Sequence, residues 1–144
     1  MENHFTIAFY NLENFFDTKN DPYILDDDFT PGGVKDWDES RFRKKTKKLA
    51  RTISKIGEGD STLHPILIGM AEVEYKSVIE SLLATPPLKA LSYEYVHFDS
   101  PDERGIDTAL LYDAKHFNVL GSETIPLLVD NESGERDLTR DILY

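Results

Sequence analysis

Short apolar runs in the first half of the chain predict two strands. Residues 66–70 form a run that is too short for a helix, is rich in β-branched residues and follows Pro65. Such a run is typical of a strand that is buried on both faces. Residues 7–14 predict an earlier strand, which ends in polar side chains that include Asn11 and Glu13. The two runs indicate a sheet whose strands end in polar residues.

A helical pattern follows each of these strands. Asp38 or Ser40 can cap the first helix, and Gly57 or Gly59 can end it. Its apolar stripe is predicted to consist of Phe42, Thr46, Leu49, Ala50, Ile53 and Ile56. A shorter helix is predicted from about residue 75 to residue 83, before two consecutive prolines.

The second half of the chain is predicted to be mainly strand. The strand segments are residues 93–98, 106–112, 117–120, 122–127 and 138–144. Polar and glycine-containing turns separate them at residues 100–105 and 130–135. This order of elements predicts a single α/β domain over residues 1–144, in which a mixed sheet carries helices on one face.

Amino-acid composition limits which kinds of protein this chain can be. A chain of 144 residues with 40% hydrophobic content can form one domain with a core. It has no cysteine, which excludes disulfides and cysteine chemistry and suits the cytoplasm. It shows neither a signal peptide nor an apolar run that could span a bilayer, so a cytoplasmic location is predicted. A signal upstream in a longer gene product would not be visible here.

Charge is unevenly distributed along the chain. The net charge of −11 disfavours nonspecific binding of nucleic acid. Seven of the 16 basic residues nevertheless lie between Arg41 and Arg51. They could form a phosphate-facing patch, but a solvated face of the first helix is the favoured interpretation. The acidic run at residues 26–28 lacks the spacing of a calcium-binding loop and predicts a solvated acidic loop.

Glu72 is the most informative acidic residue. It follows the buried strand, at the place where α/β sheets bind their ligands. It could instead cap the helix that comes next, because carboxylates favour a helix N-terminus. Glu74, two residues further on, is the weaker candidate.

Four segments in order resemble the endonuclease/exonuclease/phosphatase superfamily, the DNase I-like group that includes sphingomyelinases and inositol-polyphosphate phosphatases. The segments are residues 7–17, 69–74, 104–112 and 139–143, and the likeness spans essentially the whole chain. The first segment is most similar to bacterial members. The resemblance implies half of a four-layer α/β/β/α sandwich, and it implies a metal-dependent phosphoesterase, most similar to a nuclease.

The resemblance also implies roles for individual residues. Glu72 would bind Mg²⁺ or Mn²⁺, with the Asn11 carbonyl oxygen as a second ligand, because these ions prefer oxygen donors. Arg140 would contact the substrate phosphate, since a guanidinium matches phosphate oxygens. Arg104 and Asp107 are weaker candidates for substrate binding. Arg104 could equally be a surface charge, and Asp107 could equally hydrogen-bond neighbouring backbone.

The chain departs from the family in its second half. It contains no Gly-Asp-x-Asn motif and no Asp-His pair, and its four histidines match no catalytic histidine of the family. His97, in a strand, and His116, at a turn, are interpreted as structural. We therefore expect it to be the N-terminal half of a domain, inactive alone and lacking the general base. The missing half, or a second copy of the chain, would be its partner. The substrate would be a phosphate ester, with nucleic acid among the candidates. The alternative is a non-catalytic binding or assembly module.

Overall fold

The protein is built around a four-stranded mixed sheet. A computed structural model describes residues 4–60 and 63–144. The strands of the sheet are β1 (Ile7–Phe15), β2 (Leu67–Val73), β3 (Tyr93–His97) and β4 (Asp107–Asp113). They lie in the order β1-β2-β4-β3. β1 and β2 are parallel, and β4 is antiparallel to both β2 and β3. The carboxyl ends of β1 and β2 therefore meet at one edge.

Both predicted helices are confirmed. In α1 (Glu39–Ile53), the Asp38 side chain caps the first turn by accepting a hydrogen bond from the Arg41 amide at 2.8 Å. The helix ends before Ile56, and the turns that follow place Gly57 at φ 80°. The second helix, α2, spans Lys76–Leu83. Within the described residues, neither helix is long and apolar enough to cross a membrane.

The hydrophobic core lies on one face of the sheet. Alternate positions on the strands, such as Leu12, Ile68, Met70 and Leu111, are at most 1% exposed and pack in one cluster with the helices. The buried helix residues of that cluster are Phe42, Leu49, Ala50, Ile53, Val78, Ile79 and Leu82. The expected arrangement, a mixed sheet with helices on one face, is confirmed.

The opposite face of the sheet is apolar and largely open. Ile7 is 69% exposed and Phe9 is 72% exposed. The Phe9 ring lies so close to Gly69 that a Cβ added there would be 2.7 Å from it. A cleft of about 650 Å³ separates this face from the C-terminal segment, residues 114–144.

The C-terminal segment contains less strand than the sequence predicts. Residues 117–120 form no strand, so that prediction is wrong. Residues 122–127 and 138–144 contribute only β5 (Thr124–Ile125) and β8 (Ile142–Leu143), which pair with each other. Between them, β6 (Val129–Asp130) and β7 (Arg136–Asp137) form a hairpin around the predicted turn. An alternating pattern of apolar and polar residues shows that a segment could form a strand. The strand forms only where a neighbouring strand is available to pair with it.

The long loop between β1 and α1 is compact. It includes a 3-10 turn at Asp27–Phe29, and the Trp37 indole donates a hydrogen bond of 3.2 Å to the Phe16 carbonyl. Asp27 and Asp28 are exposed, as predicted, whereas Asp26 is 1% exposed. The prediction of a solvated loop is therefore wrong for Asp26, because its carboxylate accepts the Asp21 amide at 3.0 Å inside the loop.

We expect the chain to self-associate through the open face of the sheet. Phe9→Ser should raise the dissociation constant of the dimer about tenfold or more, because an aromatic anchor in an interface contributes about 2 kcal/mol. Sedimentation velocity ultracentrifugation measures this directly. Tyr23→Ser removes another exposed ring (92% exposed) and should have no effect. A monodisperse wild-type monomer would contradict the prediction.

Candidate metal and phosphate site

The carboxyl ends of β1 and β2 have a strained backbone. Glu13, Asn14 and Glu72 adopt positive φ values of 57°, 58° and 63°. The register of the parallel pair shifts between Asn11 and Phe15, which marks an irregularity at this edge of the sheet. Left-handed backbone at residues other than glycine is uncommon and costs roughly 1–3 kcal/mol each. Three such residues at one edge of a sheet mark a candidate functional site.

Glu72 and Asn11 meet at this edge, as the resemblance implies. Glu72 lies within β2 rather than after it, and its carboxylate turns towards β1. The Asn14 amide donates a hydrogen bond of 2.9 Å to Glu72 Oε2, and the Asn11 side chain hydrogen-bonds Glu72 as well. The N-cap residue of α2 is Tyr75, so Glu72 does not cap that helix.

Both candidate arginines lie on the same side of the sheet as Glu72. Arg140 Nη1 is 3.9 Å from Glu72 Oε1, and Arg140 Nε is 3.9 Å from Asp102 Oδ2. Arg104 Nε is 3.7 Å from Asp102 Oδ1. Asp102 is 7% exposed and positions both guanidinium groups. Sequence reasoning missed Asp102, whose only signal was a carboxylate two residues before Arg104.

The surroundings of Glu72 keep its side chain ionised. Burial opposes the charged form, but hydrogen bonds from Asn11 and Asn14 and the charges of Arg104 and Arg140 outweigh it and lower the pKa of Glu72. An ionised carboxylate suits a hard divalent cation such as Mg²⁺. Asn11 Oδ1 accepts a hydrogen bond of 2.7 Å from the Glu13 amide and keeps a second lone pair that a metal could use. Mg²⁺ retains several waters, so two protein ligands are enough to hold it. The residues present therefore fit the metal that the resemblance implies.

Lys45 anchors the strained end of β1 to α1. Its Nζ donates a short hydrogen bond to the Glu13 carbonyl and a second, of 3.2 Å, to the Asn14 carbonyl. The ammonium also lies 5.5 Å from the centre of the Trp37 ring. Burial lowers the pKa of Lys45. The sequence placed Lys45 only within a run of basic residues, and its position on the helix gave no sign that it would reach β1.

Asp107 lies apart from Glu72, on the face of the sheet that carries the helices. Asp107 Oδ1 accepts hydrogen bonds from the Ser100 amide at 2.9 Å and, at shorter range, from the Ser100 hydroxyl. Asp107 Oδ2 is 3.1 Å from His97 Nε2. The structure thus gives Asp107 the backbone hydrogen bond that the sequence left as an alternative to substrate binding.

His97, Asp99 and Asp107 form a second group that could hold a metal. Their ligand atoms lie within 4.8 Å of one another. A histidine nitrogen with two carboxylates favours a transition metal such as Fe²⁺ or Zn²⁺ over Mg²⁺. Sequence reasoning treated His97 as structural and missed this group, because the turn at residues 100–105 brings together residues from two strands.

Two further histidines lie at the other end of β4. His64 Nε2 is 2.9 Å from Asp113 Oδ2, and His116 Nδ1 is 3.3 Å from the same oxygen. Asp113 is the last residue of β4, whereas Asp107 is the first. These pairs are consistent with the structural role that the sequence analysis gave to His116.

The comparison with family models identifies the class of protein. The chain belongs to the endonuclease/exonuclease/phosphatase family, whose model matches residues 6–144. Searches of curated proteins and of solved structures gave no match. Membership indicates a metal-dependent hydrolase whose fold binds phosphoester or nucleic-acid substrates. The family resemblance inferred from the four sequence segments is confirmed.

Glu74 lies directly behind the site and is fully buried. Its Oε2 accepts a hydrogen bond of 2.5 Å from the Asp17 amide. Burial raises the pKa of Glu74 to about 8, and the nearby charges of Asp17, Asp26 and Asp21 add to this effect. Glu74 therefore belongs to the support of the loop that follows β1, whereas Glu72 faces the site.

We expect Glu74→Gln to flatten the dependence of stability on pH. The folded protein holds the Glu74 proton up to about pH 8, whereas an unperturbed glutamate loses it near pH 4.5. The folded state binds more protons in this window, so the free energy of unfolding falls as the pH rises. The wild type should lose on the order of 1–3 kcal/mol relative to the variant between about pH 5 and pH 8.

Urea unfolding in EDTA measures this difference without metal binding. The exposed acid Glu135 provides the matched control, because Glu135→Gln should leave the slope unchanged. Parallel curves for the wild type and Glu74→Gln would show that Glu74 is ionised in the folded protein.

Proposed function

We propose that this protein supplies the metal-binding and phosphate-binding part of a Mg²⁺- or Mn²⁺-dependent phosphodiesterase, most similar to a nuclease. The observation that carries the proposal is the convergence of Glu72, Asn11, Arg104 and Arg140 at the strained ends of β1 and β2. An ionised carboxylate, an amide and two guanidinium groups are the donors and acceptors that a metal-bound phosphate ester requires.

Each side chain has a distinct role in this proposal. Glu72 holds the metal, with the Asn11 carbonyl oxygen beside it. Arg140 and Arg104, both positioned by Asp102, donate hydrogen bonds to the phosphate oxygens. When bound, the metal would neutralise charge on the phosphate. The distances from the two guanidinium groups to the carboxylates of Glu72 and Asp102 are 3.7–3.9 Å, which is longer than a hydrogen bond. Both guanidinium groups can therefore turn towards substrate.

The general base is proposed to come from another protein unit, either a further half-domain or a second copy of the chain. Hydrolysis needs a group that takes a proton from the attacking water. Three described histidines lie away from the Glu72 carboxylate: His64 and His116 are beside Asp113 at the far end of β4, and His97 is beside Asp107 on the face of the sheet that carries the helices. The same observation keeps a second function open, in which the chain is a binding or assembly module without catalysis.

We expect Glu72→Gln to weaken Mn²⁺ binding at least tenfold in isothermal titration calorimetry, because it replaces the charged ligand by a neutral amide of the same shape. Glu58→Gln, in the exposed turn after α1, is the control and should bind Mn²⁺ like the wild type. The variant Asp107→Asn shows which of the two candidate groups binds the metal. Should Asp107→Asn abolish binding while Glu72→Gln preserves it, the metal would belong to His97, Asp99 and Asp107.

Turnover distinguishes the two functions. We expect the 144-residue chain to hydrolyse bis-p-nitrophenyl phosphate no faster than Glu72→Gln does, in Mg²⁺ or Mn²⁺. Metal-dependent turnover that Glu72→Gln abolishes would show that this chain already contains the general base. Mn²⁺ binding that no Glu72 variant weakens would contradict the proposed site and favour the assembly module.

A further inference from the structure

A basic cleft lies between α1 and the carboxyl end of β1. It has a volume of about 690 Å³. Its lining includes five cationic side chains: Lys35, Arg41, Lys44, Lys45 and Lys48. Among the residues that the structure describes, Glu13 is the only acidic one that lines it. The cleft is therefore a concentrated positive surface on a chain whose net charge is −11.

The basic residues of α1 divide into two groups with different surroundings. Lys44 and Lys48 line the cleft, whereas Lys47 and Arg51 do not. All four are exposed. The interpretation of the basic run as a solvated helix face thus holds for Lys47 and Arg51, while Lys44 and Lys48 face a concave surface.

The cleft is continuous with the site at Glu72. Asn11 and Asn14 line the cleft, and both hydrogen-bond the Glu72 carboxylate. A phosphate held at Glu72 would therefore have its neighbours along the same chain within reach of α1. Lys44 and Lys48 are one turn apart, a rise of about 6 Å, which is comparable with the spacing of successive phosphates in an extended strand.

We propose that this cleft binds the phosphate backbone of a single-stranded polynucleotide, on one side of the phosphate held at Glu72. The inference rests on the proposed function, and it names a polymer as the substrate. A small phosphoester or a lipid headgroup would use the Glu72 site and leave the exposed Lys44 and Lys48 of the cleft without a role. A single strand fits better than a duplex, because the acidic surface outside the cleft repels a second strand.

Fluorescence anisotropy of labelled strands of about ten nucleotides tests the proposal, a length within the range that one small domain covers. All variants carry Glu72→Gln, so that binding is read without turnover. The test pair is Lys44→Ala with Lys48→Ala. The control pair is Lys47→Ala with Arg51→Ala, which removes the same charge at the same spacing from the same helix. Single-stranded DNA, single-stranded RNA and a duplex serve as probes.

We expect the test pair to weaken binding of both single strands about tenfold or more. The slope of log K against log salt concentration should become shallower by about 1.4, as the loss of two phosphate contacts predicts. The control pair should change binding less than twofold, and the duplex should bind more weakly than either single strand. Equal effects of the two pairs would overturn the proposal, since the effect would then follow net charge alone. Tighter binding of the duplex would overturn it as well.

The outcome can be separated from failure of the proposed function. Anisotropy depends neither on Glu72 as a metal ligand nor on hydrolysis, whereas the proposed function is tested by Mn²⁺ binding at Glu72. Loss of binding in the test pair alone supports the cleft, even where the metal titration fails. Intact Mn²⁺ binding with no affinity for single strands would reject the cleft and retain the metal site.

Discussion

The hydrogen bond from the Asn14 amide to the Glu72 carboxylate joins the two strands around which the candidate site is built. It forms where β1 and β2 end side by side, and both Asn14 and Glu72 have a left-handed backbone there. Such conformations persist only where the surroundings over-determine them. Here the surroundings are the two hydrogen bonds from Lys45 to the carbonyls of β1 and the α1 core that holds this lysine in place.

Charge is organised locally in a protein that is acidic as a whole. Glu72 faces two arginines and the basic cleft, while burial and acidic neighbours raise the pKa of Glu74, two residues away, to about 8. If β2 continued with ordinary strand geometry beyond Val73, both side chains would lie on one face of it. The left-handed residue at Glu72 breaks that alternation, and so two similar carboxylates acquire opposite electrostatic surroundings.

The sequence was informative wherever a pattern followed local geometry. The stripe of Phe42, Leu49 and Ile53 predicted α1 and its buried face, and the apolar run at residues 66–70 predicted the first half of β2. The pattern at residues 117–120 predicted a strand that does not form, because no strand in the described part of the chain pairs with these residues. The ordered segments also pointed to Asn11, Glu72, Arg104 and Arg140 as candidates, and the fold brings these four residues to one end of the sheet. Asp107 was grouped with them, yet it points to the other face of the sheet.

The sequence by itself determined the class of fold, the family and the residue types of the candidate site, because periodicity and short motifs are local properties of a chain. Only the tertiary structure decided which side chains meet. The parallel pairing of β1 with β2 brings Asn14 to Glu72 across 58 positions, and the packing of α1 brings Lys45 to the same edge. Asp102 and the basic cleft became visible for the same reason, since contacts between distant segments depend on how the strands pair and the helices pack.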